Sequence, residues 1–296
     1  HTKENSMLRR IKEFDYLKPA TLSEAVSLYN QYRGQAKIFA GGTDLLVQMK
    51  HRQVTPKCLI NIKGIPGLDK ISLDGDLLRI GCLVTHKELS NSDIIKKKCP
   101  VLAEASEAVG VLQTRIRGTL AGNICNASPS ADTAPALLAL DARIKISSSE
   151  GERTVKIEEF FTGPFKSILK DNEIVTEIEI PLLPEYSSSN YLWLSKIAAW
   201  DESLVGVGTV IALNNKNDQV CSYARIGLGS VAPTPIRALK TEEFLMGKRI
   251  DEEICAKAGE MAALESHPRS RASYRREMVK VLVKNSLSKA LKEIIG

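Results

Sequence analysis

The chain has 296 residues, 43% hydrophobic and 26% charged, with a formal net charge of +6: enough chain for two cores and the balance of a globular protein. No apolar run approaches the ~20 residues of a membrane span. The basic residues are spread, with short runs at 94–100 (IIKKKCP) and 269–277 (RSRASYRRE), and aromatics are only 5%, which argues against a nucleic-acid footprint.

The six cysteines (Cys58, Cys82, Cys99, Cys125, Cys221, Cys255) form no C-x-x-C pair, and the four histidines offer no ligand spacing. Metal or iron–sulfur binding within this chain is therefore not expected, and redox chemistry would need an organic cofactor. His1 to Ser6 read as an expression remnant ahead of a start at Met7. They lack a signal peptide's apolar run, so a cytoplasmic protein is expected.

In chain order, residues 21–32 (TLSEAVSLYNQY) carry a Thr21 or Ser23 cap and apolar residues at helical spacing. Strands at 36–41 and 58–62, with a helix between, predict a small parallel βαβ unit. Residues 67–90 predict a hairpin turning at Asp74-Gly75, then a helix capped near Thr85. Pro100 opens a helix that Gly110 closes. A helix from 136 runs into a hairpin around 149–151, and 173–183 alternates as a strand.

Residues 184–190 (PEYSSSN) read as a linker. Three strands follow, with a turn at 214–218, then helices over 251–265 and 271–294. The predicted fold is α+β, with a first domain over 7–182 (subdomains about 7–60 and 61–182) and a second, built on an antiparallel sheet, over 188–296.

Two glycine-bearing stretches concentrate chemistry. In 37–50, KIFAGGTDLLVQMK, an apolar strand ends in Gly41-Gly42 before a helix. The pair can be a plain turn with an Asp or Thr cap, or bare backbone that lets an anion approach a helix start. It matches neither the Rossmann fingerprint nor the P-loop. In 117–140, RGTLAGNICNASPSADTAPALLAL, short donors and acceptors crowd between two helical segments. They can cap their own turns or surround a polyhydroxylated, phosphorylated ligand.

Taken together, AGGTDLL followed about 80 residues later by T-x-x-GN and ASP-x-x-D resembles the FAD-binding medium subunit of the molybdenum hydroxylases, the family of xanthine, carbon monoxide and nicotinate dehydrogenases. The resemblance covers essentially residues 7–296. It includes FDYLKPATLSEAVSLY near the start, FFTGPFKSILKDNEIVTEIEIP at 160–181 and RSRASYRREMVKVL at 269–282.

The resemblance implies a two-subdomain FAD-binding fold of the vanillyl-alcohol-oxidase type and a C-terminal domain of the CO dehydrogenase flavoprotein type. By motif position, Ile38, Phe39, Ala40, Gly41, Gly42, Thr43, Asp44 and Leu45 would wrap the FAD pyrophosphate. Thr119, Gly122, Asn123 and Asp132 would hydrogen-bond phosphates and sugar hydroxyls, Ile174 or Val175 would touch the adenine, and Lys196 would lie near the flavin ring. A cation there would stabilise the charge on a reduced flavin.

Ala121 stands where a glycine is usual, and Asn126 and Ala131 also depart from common choices. Residues 198–206 (AAWDESLVG) lack the arginine often found beside Lys196 in relatives; in the dehydrogenases that use NAD this loop borders the flavin, so the change bears against NAD as acceptor. No cysteine-rich insertion like that of the hydroxybenzoyl-CoA reductase β subunit is present.

The implied role is electron transfer by non-covalently held FAD. A small subunit would carry [2Fe-2S] clusters, a large subunit the molybdenum cofactor, and NAD or another acceptor would take the electrons. No catalytic or metal-ligating residue is expected here. The rival readings are a self-contained FAD oxidase or reductase of the same fold, and a scaffold that has lost the cofactor.

Overall fold

The computed structural model describes residues 10–195 and 202–296. It begins with β1 (Asp15–Leu17), α1 (Leu22–Gln31), β2 (Ala36–Phe39), α2 (Leu45–Lys50) and β3 (Cys58–Asn61). These strands form a parallel sheet in the order β1-β3-β2, with Cys58 opposite both Asp15 and Ala36. The Thr21 hydroxyl caps α1 by accepting from the Glu24 amide, and Ala25, Val26 and Tyr29 turn inward. That placement follows from helical spacing and a good N-cap.

The next segment holds β4 (Ile71–Asp74), β5 (Leu77–Gly81), α3 (His86–Asn91), α4 (Asp93–Lys98), α5 (Pro100–Ala108), α6 (Leu112–Arg117), α7 (Leu120–Asn126) and α8 (Thr133–Ala139). It continues through β6 (Arg143–Ser148), β7 (Gly151–Lys156), α9 (Ile157–Phe160), β8 (Phe161–Gly163), β9 (Lys166–Ser167) and β10 (Ile174–Pro181). An antiparallel sheet runs β4-β5-β10-β6-β7. Its central strand β10 is bulged between Val175 and Glu177, and α7 packs against it. One apolar core joins this sheet to the small parallel one, with Ile60, Ile80, Leu120, Leu137 and Ile178 all buried.

The last segment holds β11 (Ser187–Leu194), β12 (Val205–Leu213), β13 (Cys221–Gly229), β14 (Ile236–Arg237), α10 (Leu239–Leu245), α11 (Glu252–Glu265) and α12 (Ala272–Ile295). An antiparallel sheet β11-β12-β13-β14 packs on α12, with α11 laid against α12, around Val207, Ile226, Val283 and Leu287.

The serine-rich stretch expected as a linker is strand from Ser187 onward. Its polar side chains find partners across the fold, which removes the cost of burying them. Asn190 donates to the Ser286 carbonyl oxygen at 3.1 Å and accepts from the Ser286 hydroxyl at 2.6 Å. The Ser189 hydroxyl oxygen accepts from the Val101 amide at 3.4 Å.

The junction between this sheet and the preceding segment is unusually close. Helix α8, buried along its whole length, lies on a glycine face of β12 and β13. A Cβ at Gly208 would come within 2.7 Å of the Pro135 carbonyl oxygen, and one at Gly227 within 2.8 Å of the Pro135 carbonyl carbon. Among the described residues no helix is long and apolar enough to cross a membrane, and no group of three or more His, Cys, Asp or Glu side chains is placed to hold a metal ion.

Candidate functional site: two glycine loops that meet

The two glycine stretches, far apart in sequence, touch in the fold. A Cβ on Gly41 would overlap the Arg117 carbonyl oxygen and lie 2.9 Å from the Gly118 Cα. A Cβ on Gly118 would lie 3.4 Å from the Thr43 hydroxyl oxygen and 3.3 Å from the His86 ring. Gly42 adopts φ +75°, a left-handed conformation that costs glycine little, and its Cβ would overlap the Phe39 ring. The adjacent glycines thus let one loop turn sharply and seat its backbone on the other.

Further contacts hold the joint. The Gln48 side-chain amide, on α2, donates to the Asn126 side-chain oxygen on α7 at 2.9 Å. Thr85 and Thr119 form an isolated antiparallel bridge, and the His86 amide donates to the Gly118 carbonyl oxygen at 3.0 Å. The Thr119 hydroxyl caps α7 by accepting from the Gly122 amide at 3.0 Å. The Asn123 side-chain oxygen accepts from the Thr133 hydroxyl at 2.6 Å. Asp44 occupies the cap position of α2 but makes no capping hydrogen bond, so the simple turn-and-cap reading of AGGTD lacks its cap.

The joint carries both signs of charge: Asp44, whose pKa is raised by burial and by the Glu202 charge, and two cations. The Lys63 ammonium donates to the Ala40 carbonyl oxygen at 3.3 Å and sits 3.8 Å from the Phe39 ring centroid. Burial and the neighbouring Arg117 charge lower its pKa. Among the described residues, neither Lys63 nor Arg117 has an ion-paired carboxylate. His86 is 2% exposed, and its Nδ1 is buried without a partner. Burial pushes its pKa down to about 4, so the ring is neutral near pH 7. Apposed bare backbone and two cations fit the phosphates of a dinucleotide such as FAD.

Sequence-predicted residues fall into three groups. Ile38 through Leu45, Thr119, Gly122 and Asn123 lie on the two loops or their flanks. Ile174 and Val175 sit in β10, 2% and 5% exposed, within the main core. Asp132 begins α8 and is 8% exposed. It accepts from the Tyr191 hydroxyl at 3.0 Å and from the Ser203 hydroxyl. Burial raises its pKa to about 6, against the lowering effect of those hydrogen bonds. Lys196 lies outside the described residues, as do positions 198–201.

Sequence reasoning missed His86, Gln48, Tyr191 and Ser203. A signal existed for one: Thr85 and Glu88 form a capping box, which fixes the start of α3 and hence where His86 points relative to Gly118.

Phosphate-fitting loops on a mixed parallel and antiparallel scaffold, with an antiparallel sheet appended, have the features of a dinucleotide-binding protein. A family model described as the FAD binding domain in molybdopterin dehydrogenase matches residues 12–183, and one described as the CO dehydrogenase flavoprotein C-terminal domain matches 191–290. The chain is 32% identical over 281 residues to the carbon monoxide dehydrogenase medium chain of Hydrogenophaga pseudoflava, covering 94% of this chain and 96% of that one. It is also 32% identical over 288 residues to the glyceraldehyde dehydrogenase medium chain of Sulfolobus acidocaldarius, covering 95% and 98%. A solved carbon monoxide dehydrogenase of H. pseudoflava superposes with a TM-score of 0.89 at 33% identity, covering 95% of this chain and 98% of its own. The chain belongs to the family of FAD-binding medium subunits of molybdenum hydroxylases, and is a subunit of an oxidoreductase.

Proposed function

We propose that this chain carries FAD between the iron–sulfur centres of a molybdenum hydroxylase and an external electron acceptor. The partners would be a small subunit with [2Fe-2S] clusters and a large subunit with the molybdenum cofactor, where the organic substrate is oxidised. The observation that carries this reading is the seating of Gly41 on the Arg117–Gly118 backbone, which builds one phosphate cradle from two loops. FAD, when bound, supplies one- and two-electron redox chemistry.

The chain's own residues bind and orient. The 38–45 segment, Thr119, Gly122 and Asn123 hold the phosphates and sugar, with Lys63 and Arg117 contributing positive field. Ile174 and Val175 bound the adenine end from β10. Asp132 fixes a sugar hydroxyl while its own position is set by Tyr191 and Ser203. Lys196, by family position, lies near the flavin ring. All six thiols are free, as fits the reducing cytoplasm. The missing arginine beside Lys196 favours an acceptor other than NAD.

Reconstitution tests the reading. Acid precipitation of the purified chain should release all yellow colour as FAD. Dithionite should bleach the isolated chain, while purines, nicotinate, aldehydes and carbon monoxide should not. Adding the two partner subunits should restore bleaching by the complex's substrate. Turnover by the single chain would replace this reading with the self-contained oxidase, and a colourless protein unable to take up FAD would leave the scaffold.

A further inference from the structure

The basic run at 269–277 (RSRASYRRE) has no part in the site described so far. It forms the approach to α12 and its first turn, with arginines at 269, 271, 275 and 276. Arg269, Arg271 and Arg276 are exposed. Arg275 turns inward and donates to the Ser230 carbonyl oxygen, and burial together with the Arg271 charge lowers its pKa. Among the described residues none of the four is ion-paired with a carboxylate, and the acid within the run, Glu277, acts on Lys280. Like charges held together without a counter-charge destabilise the free chain. Arg271 also sits at φ +50°, a conformation that costs a non-glycine residue free energy.

This arginine face adjoins the cofactor loop. Arg269 and Phe165 line a concavity of about 310 Å³ whose other walls include Ser128, Pro129 and Ser130 of the second glycine stretch, and Glu202. Glu202 accepts from the Ser130 hydroxyl at 3.1 Å, and its charge reaches Asp44 and Asp132, so it belongs to the joint rather than to the arginine face. Phe165 is 63% and Tyr274 47% exposed, which adds two aromatic rings to the exposed guanidinium groups. Arginine and aromatic side chains are the residues enriched where proteins meet.

We infer that this face docks an acidic redox protein, and that this protein is the acceptor to which the chain passes electrons. The inference rests on the flavin reading above. Charge selects the partner: exposed guanidinium groups fit carboxylates in a bidentate geometry, and a chain of net charge +6 draws an acidic protein from a distance. The character of the surface selects the role. Resident subunits are held through large interfaces depleted of charge at their centre, whereas electron-transfer encounters are small and steered by charge. A partner seated on Arg269 would stand against the loop that carries Ser128 and Ser130.

The test uses the purified full chain with its FAD, reduced anaerobically with one equivalent of dithionite. The probes are cytochrome c, which is basic, and succinylated cytochrome c, whose lysines carry carboxylates instead. One reduced flavin gives two electrons to two ferric haems and releases one proton. In stopped flow, the succinylated form should oxidise the chain about tenfold or more faster than the native form at low salt. Its rate should fall about tenfold between ~20 and ~500 mM salt.

Variants are compared at about 100 mM salt, where charges more than about 10 Å apart are screened. Changing Arg269, Arg271 and Arg276 together to Glu should slow the succinylated form about tenfold, speed the native form, and leave oxidation by neutral benzoquinone unchanged. The same charge change at Lys96, Lys97 and Lys98, in the last turn of α4, should alter the succinylated rate less than about twofold. Arg271→Gly relieves the left-handed backbone, so it should unfold at an equal or higher temperature while slowing the succinylated form about twofold to threefold.

Equal slowing by the lysine and arginine variants would mean overall charge and no docking face, and overturns the inference. So does a succinylated rate indifferent to salt and to the arginines. Arginine-dependent retention on phosphatidylserine vesicles, with that rate unmoved, would assign the face to a membrane surface and overturns it as well. Any of these in a chain with full flavin content strikes this inference alone. A chain that holds no FAD, yet binds succinylated cytochrome c through the arginines in calorimetry, strikes the flavin reading and leaves the docking face.

Discussion

Asp132→Asn should stabilise the protein at neutral pH and leave it unchanged in acid. The Asp132 carboxyl is buried against Tyr191 and Ser203, and burial outweighs their hydrogen bonds, raising its pKa from 3.8 to about 6. A folded-state pKa above the unfolded one means that the native state holds the proton more tightly. Stability from this group is therefore complete below about pH 4, and declines as pH rises towards 6. The shift corresponds to about 3 kcal/mol between the two limits.

Asparagine keeps an acceptor oxygen for both hydroxyls and carries no charge. Denaturant titrations of parent and variant between pH 4 and 8 should show a difference near zero at the acid end. It should grow to about 2–3 kcal/mol by pH 7. A constant difference across that range, or a loss of stability that grows with pH, would mean that the ionised carboxylate is well solvated by its partners. The burial argument would then be wrong.

His86→Phe should act in the opposite sense. The His86 pKa is depressed from 6.5 to about 4, so its stability contribution is present above pH 6.5 and lost as pH falls towards 4. The variant should remove about 3 kcal/mol of that acid destabilisation, measured as a flatter difference profile over this window. Gly42→Asp places a carboxylate on a left-handed residue against Phe39, and should purify folded but with FAD affinity reduced by at least about a hundredfold. Full flavin content would reduce the loop to a turn. Lys196→Ala should keep FAD but lower its reduction potential, and equal potentials in a redox titration would remove Lys196 from the flavin's surroundings.

Much of the scaffold can be read from local chemistry. Thr21, Pro100, Asp74-Gly75 and the alternation in 173–183 each declare an element through capping, φ restriction or period two. The Ser187–Asn190 strand could not be read this way, because its serines and asparagine are satisfied by residues about ninety positions away, such as Val101 and Ser286. The site divides along the same line. Gly41-Gly42 announced a close approach, but not that the approaching object includes the Arg117–Gly118 backbone. Asp132 could be picked out by motif, whereas its partners come from β11 and from the segment just before β12, and only the fold supplies them. The Thr85–Glu88 capping box places His86 at the start of α3, but its unpartnered ring nitrogen is invisible in sequence, because an orphaned polar atom is a property of three-dimensional surroundings.

The contact of α8 with the bare strands β12 and β13 has a mechanical consequence. A hinge needs side chains or solvent that can rearrange between its leaves, and here Pro135 rests on Gly208 and Gly227 with no such layer. Sliding would drive a carbonyl across the strand backbone, so the seam acts as a splint. A protein docked on the C-terminal sheet would meet the glycine loops at an offset set by this chain's own packing, before any partner arrives. Gly227→Ala would be a wedge in that splint, set against the Pro135 carbonyl, and should cost stability.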